Sequence, residues 1–104
     1  MPLMKKTGLL AEIKLLSALA EPCRLEILGR ILTHGAMDVS SLAQGMTQDF
    51  SVISRHCNIL YEAELITRRK DGRRTIYEPT EIVVTKLKAI TAQLESLLKK
   101  RAEK

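Results

Sequence analysis

The chain has 104 residues, one domain's worth, with 45% apolar and 28% charged residues and a net charge of +5. That balance excludes a disordered tail, and two cysteines far apart exclude a disulfide framework or a zinc knuckle. Glu12 and Lys14 break the N-terminal apolar run before it reaches signal-peptide or membrane-spanning length, so the expected compartment is the bacterial cytoplasm.

Five helices and one hairpin account for nearly the whole chain. Leu9, Leu10, Ile13, Leu16 and Leu19 recur at helical spacing and predict an amphipathic helix over 9–19. Ala20-Glu21-Pro22 ends it and begins the next, because proline is tolerated in a first turn and an acid suits a helix N-terminus. Leu25, Leu28, Ile31 and Leu32 continue that second helix, and Gly35 stops it. A short third helix over about 40–45 is expected to be capped by Ser40 or Ser41, to bury Leu42 and Ala43, and to end at Gly45.

The fourth helix, 49–62, carries more information. At 100° per residue Ile53, Cys57 and Leu60 share one side with Phe50 nearby, while Ser51, Arg55, Asn58 and Glu62 face away. Two short segments within 65–78 flank Asp71-Gly72, a preferred hairpin pair. A last helix over about 80–102 places Val83, Leu87, Ile90, Leu94 and Leu97 at alternating steps of four and three. No strand is near enough to cover so long a stripe, so a second chain is the expected partner.

Helix, helix, short helix, turn, helix, hairpin, helix is the order of a winged helix-turn-helix. The expected fold is therefore mainly α with a small β-hairpin wing. The helix-turn-helix lies at about 39–62, the wing at 65–78, and a C-terminal dimerisation helix at 80–102. In such a fold one helix enters the DNA major groove while the hairpin reaches phosphates or the neighbouring minor groove. Arg68, Arg69, Lys70, Arg73 and Arg74 against Asp71 put four net positive charges in seven residues of the hairpin. On the fourth helix Ser51 and Arg55 are base-edge candidates, and Arg55 can fork onto guanine. Gln48 is a candidate for adenine or phosphate and Val52 for a thymine methyl. Ser54 and His56, on the flanks, are candidates for phosphate contacts. Each also has a plainer reading, an ordinary surface side chain or a solvated edge hairpin.

The segments LLSALAEPCRLEILGRIL, VSSLAQGM, SVISRHCNILYEAELI and KDGRRTIYEP resemble the arsenic-repressor (ArsR) family of winged-helix regulators over roughly residues 15–79. The runs from Ala20 to Leu28 and from Ser51 to His56 are the most specific pieces. The resemblance implies a homodimeric repressor, built on the first and last helices, that binds double-stranded operator DNA with an imperfect inverted repeat. It also implies release by an inducer, often a metal.

Here the chain departs from the family's metal sensors. Their Cys-x-Cys pair is replaced by Asp38-Val39-Ser40, and residues 80–104 contain no His, Cys or Asp. No metal site or cofactor is expected, and the inducer stays unidentified. Cys23 and His34 stand about 16 Å apart on one helix, too far for one ion. Cys57 reads as a small core hydrophobe. Cys23, in a first helical turn beside Arg24, is the better of the two candidates for a reactive thiol and a thiol sensor.

Two other readings differ in class. A winged-helix protein-interaction module would lack cations on the fourth helix and hairpin. An enzyme would need a phosphate loop, paired carboxylates or a nucleophile signature, and none is present. The chain is expected not to be an enzyme.

Overall fold

The computed structural model describes residues 9–102, with side chains from residue 12 onward. The expected roles of Leu9 and Leu10 lie outside the described side chains. In chain order run α1 (Leu9–Leu19), α2 (Pro22–His34), β1 (Met37–Asp38), α3 (Val39–Gln44), α4 (Phe50–Glu62), β2 (Ile66–Asp71), β3 (Arg74–Pro79) and α5 (Ile82–Ala102). The three strands form one antiparallel sheet, β1-β3-β2. The fold is mainly helical with a β wing.

Ile53, Cys57 and Leu60 of α4 are fully buried, against Ile27 and Ile31 of α2, Leu42 of α3, and Leu65, Ile66 and Tyr77 around the wing. α4 is the central element. Phe50 does not join this core; it stands exposed at the first turn of α4.

On α1 and α2 the buried stripe differs from the expected one. Leu15 and Ala18 face the core, whereas Ile13 and Leu16 are exposed. On α2 Cys23 and Ile27 join Leu28 and Ile31 inside, while Leu25 and Leu32 point to solvent. Both helices have apolar residues on two sides. Period alone does not say which side meets the core.

Local chemistry sets the ends. Glu21 caps α2, its Oε2 accepting from the Arg24 backbone N–H at 2.9 Å. Gly35, at φ 86°, donates back to Ile31. α3 is capped by Asp38 rather than by a serine; the carboxylate accepts from the Ser41 N–H at 2.9 Å. At the end of α4 the Leu65 N–H reaches the Leu60 carbonyl and the Glu64 N–H reaches that of Tyr61, with Glu64 at φ 64°. That is a Schellman cap with a non-glycine in the left-handed position.

The hairpin turn sits one residue later than expected. Asp71 pairs with Arg74, so Gly72 and Arg73 form the two-residue loop. Gly72 has φ 64° and Arg73 is not left-handed, the requirement of a turn with glycine first. β1 was not anticipated, because two residues give no alternation to read. It pairs Met37 with Tyr77 and Asp38 with Ile76, tying the start of α3 to the wing.

α5 departs from the body. Of its seam only Val83 is buried and Ile90 half-buried; Leu87, Leu94 and Leu97 are exposed. The radius of gyration is 16.5 Å against about 13 Å for a compact domain of this length. None of the helices among the described residues is long and apolar enough to cross a membrane.

Candidate nucleic-acid interface

The packing of α4 decides which of its side chains remain available. Ser51 and Arg55 lie opposite the buried stripe and are exposed, and Arg55 has no hydrogen-bond or ionic partner among the described residues. Val52 and Ser54 are half-buried on either flank. Gln48, just before the helix, is half-buried, and its buried Oε1 finds no hydrogen-bond partner among the described residues.

Ser54 faces the wing. With Asn58, Tyr61, Arg68, Arg69, Lys70, Thr75 and Tyr77 it lines a cleft of about 520 Å³ between α4 and the hairpin. It also lines a smaller one of about 240 Å³ with Asp38, Ser40, Phe50, Arg73 and Arg74. The wing-side flank of α4, through Phe50, Ser54, Asn58 and Tyr61, and the basic ribbon thus frame two neighbouring clefts that share Ser54, Thr75 and Tyr77.

Asn58 locks that geometry. Its Oδ1 accepts from the Arg68 Nη1 at 2.9 Å and from the Tyr77 hydroxyl at 3.0 Å. Arg68 also lies 4.0 Å over the Tyr61 ring. Burial, followed by the Cys57 thiol, pushes the Tyr77 phenol pKa up, which keeps it a donor to Asn58. Asn58 was expected on the outer face, but at 100° per residue it lies between the outer stripe and the wing side.

The wing's cations are not equivalent. Arg69 pairs with Glu78 at 3.1 Å and Lys70 donates to Thr75 at 3.1 Å, both along the ribbon. Arg74 binds Asp38 at 2.8 Å. Arg73, at the loop, is exposed and has no such partner among the described residues. Arg55 and Arg73 are therefore the two candidates whose guanidinium groups need give up nothing to meet an anion.

Asp38 holds three elements through one carboxylate: it ends β1, caps α3 and receives Arg74 from β3. The Ser41 hydrogen bonds, with a smaller share from Arg74, lower its pKa below the usual carboxylate value, against its own burial. A lowered folded pKa means stabilisation that is complete above the unfolded value, near 3.9, and is lost as pH falls through the folded one. Asp38→Ala should thus cost roughly 1–2 kcal/mol at pH 7, most of it the cap. Arg74→Ala should cost less, about 0–1 kcal/mol, because its guanidinium is largely exposed. Urea unfolding at pH 7 and again in acid checks both; equal midpoints for Asp38→Ala and the native chain would remove Asp38 from this role.

His56 does not sit where a flanking phosphate contact was expected. Its side chain is 12% exposed and turned towards the start of α2, where Nδ1 lies 3.1 Å from Arg24 Nη1 and 3.9 Å from Glu21 Oε2. The same guanidinium donates to the Ala18 carbonyl at 2.6 Å and the Ser17 carbonyl at 3.3 Å. Arg24 so binds the end of α1, the start of α2 and the middle of α4 together. Sequence reasoning considered it only as a neighbour of Cys23.

The thiols are quiet. Cys57 is fully buried, and burial pushes its pKa up to about 12. Cys23 is also buried, and desolvation followed by Glu21 and Glu26 raises its pKa, outweighing Arg24. The thiolate character expected at a helix N-terminus is not met, first because the thiol is buried and second because the cap at that terminus is itself a carboxylate. Both cysteines are free.

Comparison with known proteins agrees with this architecture. The family model described as HVO_A0114 matches residues 19–85. ArsR2 of Halobacterium salinarum, named for repression of an arsenical resistance operon, is 37% identical over 71 residues, 67% of this chain. The chain spans only 60% of that relative's length. An uncharacterized HTH-type transcriptional regulator of Methanocaldococcus jannaschii is 34% identical over 74 residues, 71% of this chain and 81% of that protein. The crystal structure of an ArsR family transcriptional regulator superposes with a TM-score of 0.77 at 27% identity, covering 86% of this chain and 91% of that one. Matched in sequence along the helix-turn-helix and wing, and in fold over nearly its whole length, the chain belongs to the ArsR family of winged helix-turn-helix transcriptional regulators.

Proposed function

We propose that this chain is a homodimeric, sequence-specific repressor of double-stranded operator DNA, released by an inducer that is not identified. One observation carries the reading: the wing-side flank of α4 and the cationic β2–β3 ribbon line two clefts that share Ser54, Thr75 and Tyr77, while Ser51 and Arg55 stand exposed on the outer face of the same helix. The helix supplies base-edge contacts through Ser51 and Arg55, with Gln48, Val52 and Ser54 at its margins. The ribbon, with Arg73 foremost and Arg68, Arg69 and Lys70 behind it, supplies phosphate contacts. The reading involves no catalysis, and the family's members named above are regulators.

Surface area supports self-association. The chain exposes 7148 Å², whereas a monomer of 11.7 kDa is expected to expose about 5,900 Å². Among the described residues Ile13, Leu16, Val84, Leu87, Leu94, Leu97 and Leu98 of α1 and α5 are exposed apolar side chains available to such an interface. A two-fold axis through that face sets two α4 helices towards successive turns of one duplex, about 34–36 Å apart.

The test is a gel-shift titration on a two-fold symmetric operator from the chain's own promoter region and on a scrambled duplex of equal composition. If six to ten phosphates are neutralised, affinity should fall about 10³–10⁵-fold between 50 and 200 mM salt. The symmetric duplex should bind about 10³-fold or more tighter than the scrambled one. Equal affinities would sink the claim of sequence-specific recognition.

A further inference from the structure

We propose that Glu21, Cys23 and His56 form a binding site for a zinc-class divalent cation that joins the start of α2 to α4. A carboxylate oxygen, a thiol sulfur and an imidazole nitrogen lie within 4.8 Å of one another. The Glu21 to His56 pair is at 3.9 Å. A tetrahedral ion held at about 2.0–2.3 Å by each ligand puts ligand atoms roughly 3.3–3.8 Å apart. The site therefore needs to close by no more than about 1–1.5 Å, which side-chain torsions provide.

The donor set selects the ion. One sulfur, one nitrogen and one oxygen suit zinc or cobalt and disfavour magnesium and calcium, which take oxygen alone. Three protein ligands leave a fourth position for water. Cys23 and most of His56 are buried, while the Glu21 side chain is about one-third exposed and opens the site to solvent. The ligands come from two helices distant in sequence, so their meeting is a property of the fold.

Arg24 now occupies the His56 nitrogen nearest Glu21. Its Nη1 lies on His56 Nδ1, and on metal binding that lone pair passes to the ion while Arg24 keeps the Ala18 and Ser17 carbonyls. The Cys23 thiol gives up its proton to solvent as the sulfur–metal bond forms, with no change of oxidation state. Cys57, sealed in the core, takes no part. The proposal goes beyond DNA recognition and stands whether or not the chain binds a duplex.

The test is a Co²⁺ titration of the reduced, full-length chain, read by absorption and then challenged with Zn²⁺. The expected result is a thiolate-to-cobalt charge-transfer band saturating at one ion per chain and abolished by zinc. Cys23→Ala should lose the band and Cys57→Ala should keep it. His56→Gln should weaken binding by more than the roughly 10–100-fold that loss of an outer partner costs. Circular dichroism of each metal-free variant establishes that it folds. X-ray absorption on the zinc-loaded native chain needs no variant and should show a single sulfur neighbour with the remaining ligands nitrogen or oxygen. Absence of the band, its survival in folded Cys23→Ala, an undiminished affinity in folded His56→Gln, or a sulfur count of zero or two overturns the site.

Discussion

Arg55→Ala should weaken binding to a symmetric operator by roughly 2–6 kcal/mol per dimer while leaving urea unfolding within about 0.5 kcal/mol of the native chain. The first half follows from symmetry: one bidentate arginine–guanine contact is worth about 1–3 kcal/mol, and a dimer makes it twice. The second half follows from position. Arg55 is exposed on the side of α4 away from Ile53, Cys57 and Leu60, and no group in the described fold depends on it. The loss should fall on the symmetric duplex and spare the scrambled one. Arg73→Ala should behave differently, weakening both duplexes alike and lowering the salt slope by about two per dimer, since it removes one phosphate contact from each wing. An Arg55→Ala loss equal on the two duplexes would demote the residue from base reader to phosphate clamp. Arg74 is unsuited to either role as a probe, because its removal also disturbs Asp38.

The contrast between Arg73 and Arg74 shows where sequence reasoning stops. The existence, order and nearly all limits of the helices were legible, because turn residues such as Pro22, Gly35 and Gly45 act locally and within a few residues. So was the buried stripe of α4, where apolar and polar residues separate cleanly. Two kinds of information were not legible. Helices with apolar residues on two sides do not announce which side is inner, and helical spacing alone puts Leu16, Leu25 and Leu32 on the expected stripe. Pairings across the chain are also silent: Asp38 with Arg74, Asn58 with Tyr77 and Arg68, and Arg24 with His56 each join elements that nothing in their spacing connects. Five adjacent cations read as equivalent in a string. In three dimensions four are held by neighbours, and Arg73 alone among them has no such partner among the described residues.

Leu94→Glu with Leu97→Glu should convert the proposed dimer to a folded monomer and reduce operator affinity by about 10²–10⁴-fold through lost bivalency. Both leucines are exposed in the single chain, so in the monomer the new carboxylates meet water and the helical circular dichroism should persist. Between two copies the same positions belong to a seam that each substitution enters twice. Burying a leucine is worth about 1.5–3 kcal/mol, so four losses remove roughly 6–12 kcal/mol before the cost of desolvating charge is counted. A micromolar dimer is held by only about 8 kcal/mol. Sedimentation at micromolar protein should therefore show the native chain at twice the mass of the variant. A native chain that sediments as a monomer would leave Leu87, Leu94 and Leu97 without an apolar partner of their own kind. It would also deprive two-fold operator recognition of its geometric basis, because one α4 helix reads one half-site and no more.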